Sequence, residues 1–228
     1  MMNQEHAPSV RALIETAGTP FATAWYEPRD IVFRQGDDDD SVMHVESGRV
    51  ELAVAATSGK EAICGLVGAG SFLGEEALAD CEVRPYTATA LEPTEVLVVS
   101  KAHMEQLLST EPHMSARLMA HSLSRTIRLA NDLTDQLLYS CEKRLAQVLL
   151  LLANYDERHP IRCAMPDVTQ EFMARMVGTT RSRVNLFLGK FKKHGLIEDH
   201  DGVLQINPDL LLGVPDGGLC DETATRRG

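Results

Sequence analysis

The residues best suited to chemistry lie between Val168 and Ile197, and their types suit binding rather than reaction. Arg181, Ser182, Arg183, Asn185 and Leu186 stand together, followed by Lys190 and Lys193. An arginine can grip guanine O6 and N7 with two parallel bonds, and an asparagine can do the same to adenine. A leucine turned to water gains nothing, but against a thymine methyl it has a partner. From Thr169 to Gly195 there are six Lys/Arg and one acid, about +5, on a chain of net charge −11. Local positive charge on an acidic protein is the electrostatic mark of phosphate contact.

Two helices are needed to present these side chains. Thr169 caps the first, and Phe172, Met173, Met176 and Val177 give it an apolar stripe. Gly178 stands where a tight turn needs a permissive backbone. Thr179 or Thr180 caps the second helix, which buries Val184, Phe187, Leu188 and Phe191 on one face. The opposite face carries Ser182, Leu186, Gly189 and Lys193, flanked by Arg181, Arg183, Asn185 and Lys190. This is the pattern of a helix-turn-helix, whose second helix enters the major groove of double-stranded DNA. Thr169 and Gln170, at the first helix's N-terminus, are placed to touch phosphate. Asp201-Gly202, between two short alternating runs, predicts a hairpin wing. The competing interpretation is a pair of surface helices with a solvated basic face.

Charge divides unevenly along the 228 residues. Residues 1–113 hold 7 basic and 19 acidic residues, net −12, and residues 114–228 hold 15 and 14, net +1. Only the second half suits nucleic acid. Five cysteines, Cys64, Cys81, Cys141, Cys163 and Cys220, show no paired spacing for zinc or an iron–sulfur cluster. They suit a reducing cytoplasm. No signal peptide or membrane span is read, so a cytoplasmic protein without membrane contact is expected.

From Phe21 to Ser100 short β-like runs alternate with turn residues. Examples are Ile31–Phe33, Val42–Val45, Arg49–Ala55, Ala62–Val67 and Val96–Val99, punctuated by Gly36, Gly48, Gly59 and Gly68. This predicts a jelly roll or sandwich. The four acids Asp37–Asp40 are read as a solvated turn rather than a calcium loop. His44 is read as structural, and His6 and Met43 as unsupported haem ligands. Glu75-Glu76 lacks the nucleophile and base of a catalytic site, so no enzyme is expected.

The segment Gly70-Ser71-Phe72-Leu73-Gly74-Glu75-Glu76-Ala77-Leu78, followed by Arg84, resembles the phosphate-binding cassette of cyclic-nucleotide-binding domains. With the winged helix behind it, the chain resembles the CRP/FNR family of bacterial transcription regulators over residues 20–207. The resemblance implies a homodimer, contact with RNA polymerase, and a cyclic nucleotide as cofactor. It implies that Gly74 shapes the cassette, that Glu75 meets the ribose and Arg84 the cyclic phosphate, and that Leu129 and Ala130 stand where adenine is bound. Pro85 follows Arg84 where a hydroxyl is usual, and Leu129 and Ala130 replace polar residues, so weak cAMP binding is expected. For Arg84, a salt bridge to Glu75, Glu76 or Glu82 is the structural alternative. Of the family's usual recognition residues only Arg181 is kept, with Ser182 and Leu186 differing.

Pro112 is expected to open a long helix from about His113 to Ser140. Met119, Ser122, Thr126, Leu129 and Leu133 form a seam, flanked by Leu118, Leu123, Ala130 and Leu137. The seam predicts a dimer; the alternative is a helix packed on its own barrel. A hinge is expected at Leu138–Cys141 and a further helix over Glu142–Tyr155. The expected organisation is α+β: a jelly-roll domain over 1–112, a dimerisation helix and hinge over 113–140, a winged helix-turn-helix over 141–212, and a flexible tail over 213–228. Residues 1–10 are expected to fray. The functional expectation is a DNA-binding transcription regulator acting as a homodimer on a two-fold site, with a signal sensed or transmitted by the barrel. A cAMP-dependent regulator, or a small-molecule receptor without DNA function, are the alternatives.

Overall fold

The computed structural model describes residues 8–38, 40–57, 59–79, 81–153, 163–164, 168–200 and 203–219. They form two compact units that divide in sequence between Ile127 and Arg128.

In the first unit, strands β1 (Ala22–Tyr26), β2 (Ile31–Phe33), β3 (Ser41–Ser47), β4 (Arg49–Ala55), β5 (Glu61–Gly68), β6 (Phe72–Leu73), β7 (Thr87–Ala90) and β8 (Thr94–Ser100) build two four-stranded antiparallel sheets. Their orders are β1-β8-β3-β6 and β2-β7-β4-β5. Side chains alternate along each strand. Met43, Val45 and Val96 therefore point between the sheets, against Val50, Leu52, Val67 and Leu73. Val42, Leu97 and Val99 point the other way, into a second core closed by helices α1 (Val10–Thr16) and α2 (Lys101–Thr110) and by Met114. Strands β3 and β8 are thus covered on both faces, which explains their continuous apolar runs. Gly48, between β3 and β4, has φ +90, and a Cβ there would stand 2.4 Å from Thr94 Oγ1. Only glycine permits that approach.

Two features differ from expectation. Helix α1 starts at Val10, where the chain was expected to fray. Ser9 Oγ accepts the Ala12 N–H, and Val10, Leu13 and Ile14 are buried. Helix α2 was not expected; it ends before helix α3 (Pro112–Leu138), which Pro112 opens as the sequence predicts, because Glu111 precedes proline and turns extended. The division between the two compact units lies inside α3, whose first half seals the first unit with Met114.

The second unit contains α4 (Cys141–Leu152), β9 (Cys163–Ala164), α5 (Gln170–Val177), α6 (Arg181–Lys193), β10 (Ile197–His200), β11 (Val203–Ile206) and α7 (Pro208–Leu212). Its antiparallel sheet has the order β10-β11-β9. Leu145, Leu149, Met173, Val177, Val184, Phe187, Phe191, Ile197 and Ile206 are buried. The expected turn at Asp201-Gly202 lies outside the described residues. So do Cys220 and His6, and the segment 156–167 apart from 163–164 and its Pro160 and Pro166. The chain past Pro208 corrects the expectation of a tail beginning at 213. Leu211 and Val214 are buried, and Lys143 Nζ donates to the Leu212 and Val214 carbonyls at 3.0 and 2.7 Å.

Leu97 is fully buried between β1, β3 and the helices. Leu97→Ala is expected to destabilise the first unit by about 2–5 kcal/mol through the cavity it leaves. A lowered urea midpoint for that unit's unfolding, with the slope kept, is the check.

Candidate functional site

Two sites stand out, one in each unit. In the second unit Thr169 Oγ1 accepts the Phe172 N–H at 3.1 Å, and Thr180 Oγ1 accepts the Arg183 N–H at 3.4 Å. Both caps satisfy orphan donors at a helix start. Gly178 between the helices has φ 70 in the left-handed region. The buried stripe Val184, Phe187, Leu188 and Phe191 then decides which way α6 faces. Arg181, Ser182, Arg183, Asn185, Leu186 and Lys193 are all exposed, with Leu186 58% exposed. Gln170, Arg181, Ser182 and Asn185 line an open cleft. Gln170 Nε2 donates to Asn185 Oδ1 at 3.4 Å, so the first helix's N-terminus meets the second helix's polar face. Arg183 lies over the Phe187 ring at 5.6 Å.

Lys190 departs from this group. Its Nζ lies 2.9 Å from Glu142 Oε1, and its side chain is only 20% exposed. Glu142, in the first turn of α4, is buried and draws the cation inward. Lys192 reaches Asp199 on β10 at 3.4 Å, an exposed pair that holds little energy.

In the first unit the cassette turn is built on glycine. Gly74 has φ +71, and a Cβ there would stand 1.8 Å from Arg84 Nη1 and 2.8 Å from the Ser41 carbonyl. Arg84 is buried in the space this glycine leaves. Its Nη2 donates to Ser41 O and Oγ, each at 2.9 Å, and its guanidinium stacks 4.5 Å over Phe33. The two cassette carboxylates have a different partner, which the sequence reading missed. Arg125 Nη1 pairs with Glu75 Oε1 at 2.5 Å and Glu76 Oε1 at 2.9 Å. His121 Nε2 lies 3.4 Å from Glu75 Oε1. Tyr86 donates its hydroxyl to both Glu76 oxygens, and Arg125 stacks 5.2 Å from the Tyr86 ring. Glu75 Oε2 is buried without a hydrogen bond.

Burial works to raise the pKa of Glu75, but His121 and Arg125 outweigh it and hold the carboxyl below its ordinary value. Burial and the Glu76 and Glu75 carboxylates push Tyr86 up. His44 is a buried histidine on Glu46 Oε1 at 2.8 Å, with its pKa lowered by burial. Leu129 and Ala130 fall in the second unit, on the exposed part of α3. A signal for Arg125 was present. At 100° per residue, Met114, His121 and Arg125 share one face of α3, opposite Met119 and Leu123. Leu118, expected beside the dimer seam, is half-buried and packs against the barrel core.

Because the folded pKa of Glu75 is depressed, the stabilisation it brings is present above the unfolded value near ~4.3. It is lost as pH falls through the folded value. Glu75→Gln should flatten the acid side of a melting-temperature profile. Arg125→Met at pH 7 leaves the carboxylates without their cation and should cost on the order of 3 kcal/mol. Thermal melts between pH 3 and 7 read both, with those limits set at about the carboxylate range.

The comparisons agree with this architecture. Residues 23–111 match the model of the cyclic nucleotide-binding domain, and residues 143–213 match that of the Crp-like helix-turn-helix domain. The chain is 28% identical over 169 residues to the CRP-like cAMP-activated global transcriptional regulator of Mycobacterium tuberculosis, covering 73% of this chain and 75% of that protein. It is 26% identical over 208 residues to the cyclic AMP receptor protein of Thermus thermophilus, covering 91% and 94%. Among solved structures it superposes on the c-di-GMP responsive global regulator CLP of Xanthomonas campestris with a TM-score of 0.76 and 21% identity, over 86% of this chain and 98% of that one. FixK2 of Bradyrhizobium japonicum superposes with a TM-score of 0.70 and 15% identity, over 89% and 100%. With a cyclic-nucleotide-type jelly roll and a Crp-like helix-turn-helix in one chain, the protein belongs to the CRP/FNR family of transcription regulators.

Proposed function

We propose that the protein binds DNA as a homodimer, reading two half-sites related by a two-fold axis, and that its barrel senses or transmits a signal without strong affinity for cAMP. The observation that carries the DNA reading is the exposed face of α6. Arg181, Ser182, Asn185 and Leu186 stand free of the core beside Gln170. Arg181, Ser182, Arg183, Asn185 and Leu186 meet base edges or adjacent phosphates. Thr169, Gln170, Thr180 and Lys193 meet the backbone. Lys190 serves the fold through Glu142.

The dimer reading rests on α3. Met119 is 64% exposed, Leu123 58%, Ile127 62%, Leu133 60% and Leu137 76%. An apolar stripe of that length at heptad-like spacing needs cover, and a second copy of the same helix supplies it. Ser122, Thr126 and Leu129 complete the seam, and Ile127 joins it. Such a dimer acts in the cytoplasm, with RNA polymerase as a further partner by family resemblance and with no enzymatic step. No helix among the described residues is long and apolar enough to cross a membrane.

The doubt over cAMP rests on how the cassette is filled. Glu75 is already paired with Arg125 and His121, Arg84 donates to Ser41, and Pro85 offers neither N–H nor hydroxyl. The residues therefore fit a cyclic nucleotide poorly. One atom favours the second reading, a cAMP-dependent regulator like the relatives' printed names: Glu75 Oε2 is a buried acceptor that a ribose hydroxyl suits. Isothermal titration with cAMP and cGMP, beside a Glu75→Ala, Arg84→Ala control, decides. No heat is expected; micromolar binding that the control abolishes establishes the second reading.

For the DNA reading, selection from a random-sequence library should yield a two-fold site. Arg181→Ala should weaken that site by about 1–3 kcal/mol and relax one base preference. Unchanged affinity refutes the placement of α6. Leu123→Glu with Leu133→Glu should shift sedimentation from dimer to monomer.

A further inference from the structure

Residues 212–219 bind back to the start of α4. Ser140, between α3 and α4, donates its N–H to the Asp216 carbonyl at 2.8 Å. Lys143 holds the Leu212 and Val214 carbonyls. The Leu219 N–H donates to Glu142 Oε2 at 2.6 Å. Residues 212–219 therefore lie as a strap along 140–143, the start of the DNA-binding module. Gly218 is required for it: φ is +91, and a Cβ there would stand 2.4 Å from Glu142 Oε2.

Glu142 is the point where this strap meets α6. One carboxylate oxygen accepts the strap's N–H, and the other lies 2.9 Å from Lys190 Nζ as an ion pair without hydrogen-bond geometry. A carboxylate that is 6% exposed is costly without a donor and a counter-charge, so removing either partner disturbs the other. Lys190 lies one turn before the end of α6, on the helix that carries Arg181, Asn185 and Leu186.

We propose that Glu142 is a positioning residue for DNA recognition. It clasps the C-terminal strap and the recognition helix together, and so sets how α6 is held relative to the start of α4. Lys190 is then an anchor, not a phosphate contact. The inference rests on the DNA reading above. It goes beyond that reading by assigning a recognition role to residues that never touch DNA.

The test uses the full chain and three variants: Glu142→Gln, Leu219→Pro and Lys190→Met. Leu219→Pro removes the strap's donor, with its other effects on side chain and backbone confined to the strap at the edge of the fold, and guards against a Glu142 variant that fails to fold. Fluorescence anisotropy compares the selected site with scrambled DNA over a salt series, and hydrogen exchange follows the α6 amides without DNA. Glu142→Gln and Leu219→Pro should each lower affinity for the selected site about tenfold, as one mismatched base pair does, and leave scrambled DNA within about twofold. The α6 amides should exchange faster in both. Lys190→Met should keep the wild-type salt slope, whereas a lost phosphate contact lowers it by about one. Selectivity within about twofold of wild type in both clasp variants, or a lowered slope in Lys190→Met, overturns the proposal. If the wild type itself shows no selectivity, the DNA reading fails and exchange alone decides: faster α6 exchange upholds the clasp, and unchanged exchange refutes it.

Discussion

A carboxylate taken out of water must meet a cation, and in the first unit that requirement governs the rest. Glu75 and Glu76 open a short 3-10 turn beside the sheets, where solvent reaches them poorly. Arg125 answers both, with His121 alongside. Because that arginine comes from α3, the helix must lie with its Met114–His121–Arg125 face on the barrel. The opposite face is then turned to water, and it is the apolar one. One ion-pair cluster thus chooses both the filling of the cassette and the apolar surface left exposed.

Glycine makes room for the cassette's own arginine beside that cluster. Arg84 occupies the space that any side chain at Gly74 would fill. Its guanidinium is held by Ser41 and by the Phe33 ring, so the cassette arginine and the cassette glutamate have separate partners. In the second unit the same principle recurs at smaller scale. Buried Glu142 pulls Lys190 out of the basic face of α6, leaving that face to Arg181, Arg183 and Lys193.

Elements with a strong local signal were read directly from the chain. Thr169, Gly178, Thr180 and Gly195 mark the ends of α5 and α6, and the 3-and-4 spacing of Val184, Phe187, Leu188 and Phe191 names the buried stripe. Caps, turns and periodicity act within a few residues, so they need no tertiary information. Helix α1 and the packing of residues 208–219 were missed for the converse reason. Both are short, and what holds them is burial of Ile14, Leu211 and Val214 against partners distant in sequence. Leu118 shows the ambiguity of an apolar stripe, since a helix packed on its own domain and a helix awaiting a partner present the same spacing.

The sequence by itself determined the order of the modules, the basic recognition helix and the cassette motif, because each is written in local residue types and spacings. Tertiary structure decided who pairs with whom. Arg125 meets Glu75 across 50 residues, and Lys190 meets Glu142 across 48 (190 − 142). Periodicity puts Arg125 on the Met114 face of α3 but names no partner in either pairing, because a charge selects its partner by distance in space and by the cost of burial, not by position along the chain.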